Sequence, residues 1–544
     1  MQFTKEEVQR NVYRAERLFF FRPVFFTALF FCLGIAFSYA QRFHEASSLW
    51  TLCAFPAMLL VFLRAKRGEV YKRAAAISLC ILAFFIGFLS LDRQLDDFSD
   101  CARGQAQTTV RATLIENTVF DELTILRFSD LYLDGEKTKG ELTTYLPTSS
   151  VQNYGIGDEF VLYGKLYTDV SFFSEYGFRA EDIKNRACYY MRDMEFVKTG
   201  KSDNPFYAVS ERVRKTVYAS MEEDAASVTL GILLGDTRGI AEDLYDNIRF
   251  GGIAHIFAVS GLHVGALFAF CIRLVEKTKG RIPKPVRFLL VGFLIVFYAG
   301  TCGFTSSVVR AGMICLTFYA FSLLRLHADF LERLGLAALV ILCVSPVALF
   351  EVGFQLSFLA CLGIGCLGLP IRNGLTRLFS KRDIDPAADD EPPTVIERIR
   401  SGVISAFSMS LSAQILTAPV LLNAFSYLSL WGLLLNVLFV PLISVAFSWL
   451  LAFVLIGCLL PVWWSRVLLY VPNVLFHALL LVFEIFDFSR FIIAGIKLSG
   501  GGIVCYYIGS LVWSDKLNLR LWQKGAISAL FLLMFVLGTV FVNL

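Results

Sequence analysis

The chain has 544 residues, 56% of them hydrophobic and 18% charged, with a mean hydropathy of +0.61. Soluble domains carry about 45–50% apolar and about 25% charged residues, so an ordinary soluble protein is excluded and a polytopic membrane protein is expected. The net charge of +4 is uneven: residues 92–204 hold 13 Lys and Arg against 20 Asp and Glu, a net of −7, which leaves +11 elsewhere.

Three apolar runs open the chain, at Val24 to Tyr39, Leu49 to Leu63 and Ala74 to Leu91. Each is near the length a helix needs to cross a bilayer. The first follows Lys5, Arg10, Arg14, Arg17 and Arg22 and has no small-residue cleavage site at its end, so it reads as a retained helix rather than a leader peptide. A second basic cluster, Arg64, Lys66, Arg67, Lys72 and Arg73, joins the second and third runs. Basic loops stay in the cytoplasm, so the N-terminus is expected there and residue 92 outside. The same rule accounts for the excess of +11, which is therefore no sign of nucleic-acid binding.

From residue 92 to 204 the long apolar runs give way to short stretches rich in Val, Thr, Tyr and Phe. The expected strands are Gln107 to Glu116, Leu123 to Leu133, Gly140 to Tyr145, Asp158 to Tyr167 and Arg186 to Val197, with turns at Asp134-Gly135 and Gly155 to Gly157. Five strands in about a hundred residues predict a small OB-like β-barrel, inserted between helices and extracytoplasmic. Phe172, Phe173, Tyr176 and Phe178 are either a platform for stacking bases or a hydrophobic lid on the barrel. The net charge of −7 argues against electrostatic capture of DNA by the domain as a whole. Eleven of the thirteen cysteines lie in apolar runs; the other two, Cys101 and Cys188, flank the barrel and are a disulfide candidate in an exported compartment. No Cys/His metal spacing occurs, and no cofactor is expected.

Residues 205–250 read as an amphipathic helical connector, helical from Glu211 to Asp224. The stretch LGDTRGIAEDLYDNIRFGGIAHIFAVSGLHV follows at Leu234 to Val264. Apolar runs then occupy Gly252 to Leu274, Phe288 to Gly303, Ser307 to Leu324, Gly335 to Phe350 and Gly353 to Leu369. Beyond the charged loop Arg372 to Arg400, with its solvated stretch RDIDPAADDEPP, come Gly402 to Leu422, Leu428 to Leu460, Val467 to Phe486, Phe491 to Trp513 and Ala526 to Val542. The run Leu428 to Leu460 exceeds one span and contains Asn436 and Pro441, which predicts a broken half-helix followed by one crossing. The total is about 11–13 crossings, with the N-terminal helices in residues 1–91 and the main membrane domain in residues 251–544.

Polar groups in this apolar setting are costly and normally face a protein interior or a water-filled path. Asp236, Arg238, Arg249, His255, Ser260, His263, Arg310, Gln355, Gln414 and Asn436 are the candidates for such a path, and Arg238, Arg249 and Arg310 the cations suited to phosphates. Ser260 with His263 also suggests a hydrolase, although AVSG is not the GxSG pattern. His255 and His263 share a helix face about 12 Å apart along its axis, too far for one metal. Taken singly, each group is also what interhelical hydrogen bonding would place in a bundle.

The segments LGDTRG and HIFAVSGLHVG, then SVVRAGM at Ser307 to Met313, PVALFEVGFQLSFLACLGI at Pro346 to Ile364 and SAQILTAPVLLNAFSYLSLWGLLLNVLFVPLI at Ser412 to Ile443, stand in one order over roughly residues 230–445. In this the chain resembles the ComEC family of competence proteins. The resemblance implies a bacterial inner-membrane channel for transforming DNA, with single-stranded DNA as its passenger. It implies as partners a DNA receptor on the outer side, a cytoplasmic helicase or translocase, a separate nuclease and further copies of the chain. Many members continue into a nuclease domain with an HxHxDH motif; the histidines here, His44, His255, His263, His327 and His477, do not form one, so no nuclease activity is expected of this polypeptide. A small-solute transporter and an intramembrane hydrolase are the rival readings.

Overall fold

The structure is a computed structural model that describes residues 22–44, 70–101, 106–119, 123–147, 154–174, 177–237, 239–257, 259–278, 281–326, 328–379, 394–496, 498–517 and 519–543. The expected run Leu49 to Leu63, Arg238, Tyr176, His327 and the RDIDPAADDEPP stretch lie outside the described residues.

Helices α1 (Pro23–His44) and α2 (Val70–Ser99) pack side by side, with Gly34 against the backbone of Phe84 and Gly87 against that of Phe31. The barrel follows: β1 (Ala106–Val119), β2 (Leu123–Leu133), the two-residue β3 (Glu136–Lys137), β4 (Leu142–Pro147), β5 (Asp158–Thr168), the short pair β6 (Phe173–Ser174) and β7 (Gly177–Phe178), helix α3 (Ala180–Asn185) and β8 (Tyr189–Lys201). Strand β1 pairs with β2 and β5, β5 with β8, β8 with β4 and β4 with β2, which closes the sheet on itself. Among the described residues of the barrel only the β4 and β8 pairing is parallel. Alternation explains the closure: Phe160, Leu162 and Leu166 of β5 are buried while Tyr163 and Lys165 face outward. The five strands expected from sequence are all present.

The aromatic residues near β6 and β7 form the seat of the barrel on the helices. Phe43 of α1 contacts Phe172, Phe173 and Phe178 at ring distances of 5.4, 5.0 and 5.8 Å. Tyr39 contacts Phe178 at 5.0 Å and Phe350 at 4.5 Å. Phe172 and Phe178 are half-buried in these contacts, while Phe173 touches Phe43 and stays exposed. Cys101 and Cys188 are free thiols in contact with each other. Burial, and then the adjacent Cys101, push the Cys188 thiol up.

The segment after the barrel is not a single amphipathic connector. Helix α4 (Pro205–Ser220) starts with an Asn204 side-chain cap and has a mixed face, whereas α5 (Glu223–Leu234) is buried from Ala225 to Leu233 and belongs to the core. The short amphipathic α6 (Glu242–Phe250) follows. The apolar run expected at Gly252 to Leu274 is interrupted: α7 (Ala254–Phe257) is one turn, Ser260 is extended (φ −122°, ψ 170°), and α8 (Gly261–Glu276) begins after it. Next come α9 (Lys284–Thr301), α10 (Ser306–Leu324), α11 (Phe330–Val344) and a 3-10 turn (Pro346–Phe350), where Pro346 ends the helix the run had suggested.

Helices α12 (Val352–Phe379) and α13 (Val395–Phe425) form a long hairpin. Residues 428–460 differ from expectation. Strand β9 (Tyr427–Ser429) pairs with β10 (Ile492–Ala494), and between them α14 (Trp431–Gly457) runs unbroken through Pro441, followed by α15 (Val462–Ile485). The chain ends with α16 (Gly500–Leu511) and α17 (Leu521–Asn543). Among the described residues eight helices are long and apolar enough to cross a membrane, as a polytopic helical membrane protein requires. Helices α5, α8, α11 and α16, of 12, 16, 15 and 12 residues, fall short of the roughly 20 residues of a full span.

Candidate functional site

The LGDTRG turn is fastened from outside rather than open. Gly235 ends α5 in the left-handed conformation (φ +80°), and Asp236 Oδ2 lies 2.6 Å from Arg214 Nη2 of α4. Helix α6 then carries Arg249, whose Nη1 lies 2.9 Å from Asp246 and which also bonds the Tyr427 side chain. Asn247 on the same helix holds the end of α15: its amide donates to the Phe483 and Phe486 carbonyls, the latter at 2.7 Å, and its oxygen accepts from the Phe488 amide at 2.9 Å. Gly252 (φ +74°) lets the backbone approach α14, since an added Cβ would stand 2.9 Å from the Gly432 Cα.

His255 is exposed on α7 although its neighbours Ile256 and Phe257 are fully buried. Ser260 and His263 meet at the start of α8. The Ser260 amide donates to His263 Nδ1 at 3.1 Å, and Ser260 Oγ lies 3.4 Å from the same nitrogen. This reciprocal arrangement caps the helix. Because Nδ1 accepts the amide, the neutral ring carries its proton on Nε2, which is buried against Phe447 and has no partner among the described residues. A serine nucleophile needs a histidine nitrogen free to take its proton and a group orienting the far side of the ring, and neither is present in this contact.

A second polar group surrounds β9. Gln414 Nε2 of α13 donates to the Ser429 carbonyl at 2.7 Å, and Ser429 Oγ donates to the Phe250 carbonyl at 2.6 Å. Asn436 Nδ2 reaches Ser410 Oγ at 3.5 Å, while its Oδ1 is buried and unpaired among the described residues. The structure thus brings Arg249 to Tyr427 and Gln414 to Ser429, while Asn436 faces Ser410 of α13.

A third group lies beside the barrel. Arg310 on α10 is 6% exposed; its Nη1 donates to Ser306 Oγ at 2.5 Å and stands 3.4 Å from Glu351 Oε2. Gln355, one turn after Glu351, donates to the Leu349 carbonyl at 3.1 Å. Lys184 from α3 of the barrel reaches Glu351 Oε1 at 2.9 Å. Sequence reasoning placed Arg310 here without Lys184 or Ser306, because nothing local ties a barrel lysine to a helix 126 residues later. Asp236 is held by Arg214, and Ser260 and His263 are joined at the start of α8. Among the described residues no cluster of His, Cys, Asp and Glu is arranged to hold a metal.

A family model described as "Competence protein" matches residues 232–517, which contain every one of these groups except Lys184 and Arg214. "ComE operon protein 3" of Bacillus subtilis (strain 168) is 26% identical over 223 residues, 40% of this chain and 25% of that protein. "Recombination protein 2" of Haemophilus influenzae is 26% identical over 272 residues, 47% of this chain and 32% of that protein. "Uncharacterized protein MG316 homolog" of Mycoplasma pneumoniae is 33% identical over 120 residues, 22% of this chain and 30% of that protein. The matched stretches thus span a quarter to a third of these relatives' length. No solved structure matches.

Proposed function

We propose, from the premise that this chain belongs to the Competence protein family, that it forms an inner-membrane channel through which one strand of transforming DNA passes to the cytoplasm. The observation that carries the reading is an overlap. The residues that match the family are also those that set exposed His255 and half-buried Ser260, Gln355, Gln414 and Asn436 among otherwise apolar helices. Polar groups at such positions suit a water-filled path between helices.

On this reading Asp236, Arg249, His255, Ser260, His263, Arg310, Gln355, Gln414 and Asn436 lie along or near the path. The barrel stands on the outer side and the N-terminus in the cytoplasm. Two ends of the bundle support that arrangement: α1 starts at an Arg22 to Asp329 ion pair beside the start of α11, and finishes at the aromatic seat of the barrel. A Cys101 to Cys188 disulfide would form in an oxidising compartment, where the two adjacent thiols could be linked. The partners are a DNA receptor outside, a cytoplasmic helicase or translocase, a separate nuclease and other copies of the chain.

The experiment follows labelled double-stranded DNA into cells with and without this protein, separating surface accumulation from passage across the inner membrane. Deletion is expected to leave surface DNA in place and abolish passage. Unaffected passage would overturn the channel and bring the small-solute transporter forward.

A further inference from the structure

The buried apolar side chains form separate cores. One joins the barrel to α1, α2, α11 and the 3-10 turn, through residues such as Phe128, Phe160, Ile35, Leu95, Leu342 and Val347. Another joins α4 to α7 with the adjoining ends of α8, α9 and α10 and with α14 and α15. The two meet along α10, whose Val308 and Ala311 belong to the second core while Met313 packs against the first.

A charged cluster closes this seam. Glu351 Oε1 is 2.9 Å from Lys184 Nζ, an ion pair by distance in which Oε1 accepts no hydrogen bond among the described residues; its Oε2 accepts from Ser306 Oγ at 2.8 Å and lies 3.4 Å from Arg310 Nη1. Lys184 Nζ donates to Ser306 Oγ as well, at 3.0 Å. Two cations therefore share one carboxylate, although Arg310 and Glu351 are 6% and 8% exposed, and Arg310 Nε has no partner among the described residues.

The cluster is asymmetric. When Lys184 leaves, Arg310, Ser306 and Glu351 remain a neutral, hydrogen-bonded set. When Glu351 is withdrawn, two cations face each other across the seam. Charged contacts of this kind add little stability over apolar packing and are better suited to fixing one arrangement against another. Phosphate oxygens accept from Lys and Arg as carboxylate oxygens do, so a polyanion competes directly with Glu351.

We propose that the seam between these two cores is a gate, that Lys184, Ser306, Arg310 and Glu351 hold it shut, and that a phosphodiester chain opens it by drawing the cations from Glu351. The identity of that chain as transported DNA rests on the channel reading above; the gate does not.

The test uses the full chain in lipid vesicles and measures how fast a charged, membrane-impermeant maleimide labels the thiol introduced by Met313→Cys, after subtracting labelling of the parent. Lys184→Gln is expected to raise the rate severalfold and Lys184→Arg to leave it unchanged. Adding poly(dT) to the chain with Lys184 intact is expected to raise it as Lys184→Gln does. Thermal unfolding of each variant shows whether it is folded, and Lys184 is exposed enough, at 29% of its side chain, for its replacement to be tolerated. An unchanged rate in folded Lys184→Gln overturns the gate. A rate raised by Lys184→Gln and indifferent to poly(dT) overturns the polyanion as its trigger. Neither readout requires DNA to cross the membrane, so failure here is distinguishable from failure of the channel reading.

Discussion

Glu141 precedes β4 and its carboxyl is pushed up to about 7, chiefly by burial and against the pull of the Arg127 guanidinium. Its Oε2 is buried and has no partner among the described residues. The folded chain thus keeps a proton that the unfolded chain loses near the ordinary value of about 4.3. The stabilising protonated form is fully present below that value and is lost as pH rises through about 7. Each pK unit is worth about 1.4 kcal/mol, and partial hydration brings the expected loss to about 2 kcal/mol. Amide exchange in β2 and β4, corrected for its intrinsic pH dependence, is expected to show freer opening at pH 8 than at pH 5, and Glu141→Gln to remove the difference. Persistence of the difference in that variant would refute the assignment. At this scale the sequence was partly legible. Arg310 stood out because a bilayer rejects a lone cation, but its counter-ion Glu351 and the barrel's Lys184 are tertiary choices that no local pattern encodes. Asn247 was not singled out in the sequence, whereas its side chain satisfies the end of α15.

Strands and the apolar parts of the long helices were the most readable elements, since alternation in β5 and the runs within α12 and α13 each report one packing environment, although α12 continues through Arg372 to Phe379 and α13 starts at Val395, inside the stretch expected to be a charged loop. The breaks were harder. Hydropathy runs smoothly through Gly252 to Leu274, yet the helix restarts at Ser260, where a serine and a histidine supply a cap instead. Conversely Pro441 suggested a break and α14 continues through it. Helices α12 and α13 cross where Gly363 meets the Ser412 carbonyl; an added Cβ would stand 2.3 Å from that oxygen, 3.0 Å from its carbon and 3.4 Å from the Ala413 Cα. Small residues at such crossings let backbones approach. Gly363→Ala is therefore expected to cost about 1–3 kcal/mol. Gly374→Ala on the same helix, where an added Cβ meets nothing within 4 Å, is expected to gain up to about 1 kcal/mol. Thermal unfolding in detergent checks the pair, and equal effects at the two positions would show that the crossing is not tight.

Across the whole molecule, packing does not follow the order of the chain. Sequence boundaries at residues 91 and 204 set the barrel apart, because composition changes abruptly there. The barrel nevertheless shares one core with α1 and α2 before it and with α11 and the 3-10 turn more than a hundred residues after it. Phe350 sits in that joint, 4.5 Å from Tyr39 and 5.4 Å from Phe178 by ring centroids. Phe350→Ala, at about 2 kcal/mol for a half-buried ring, is expected to raise amide exchange in α1 and in the barrel together while leaving α15 unchanged. Acceleration confined to α11 would mean that the shared core is not one cooperative unit. The shared core also sets a schedule for synthesis. A ribosome adding about 5–20 residues per second needs on the order of 10–30 s to pass from the last barrel strand to the 3-10 turn and α12. During that interval the newly made barrel has α1 and α2 to rest on but lacks Phe350 and α11, so part of its aromatic underside is bare. Tyr39 and Phe43 of α1 are already made by then, so the aromatic seat can form first on α1, and Phe350 then closes a joint that has been waiting half-built.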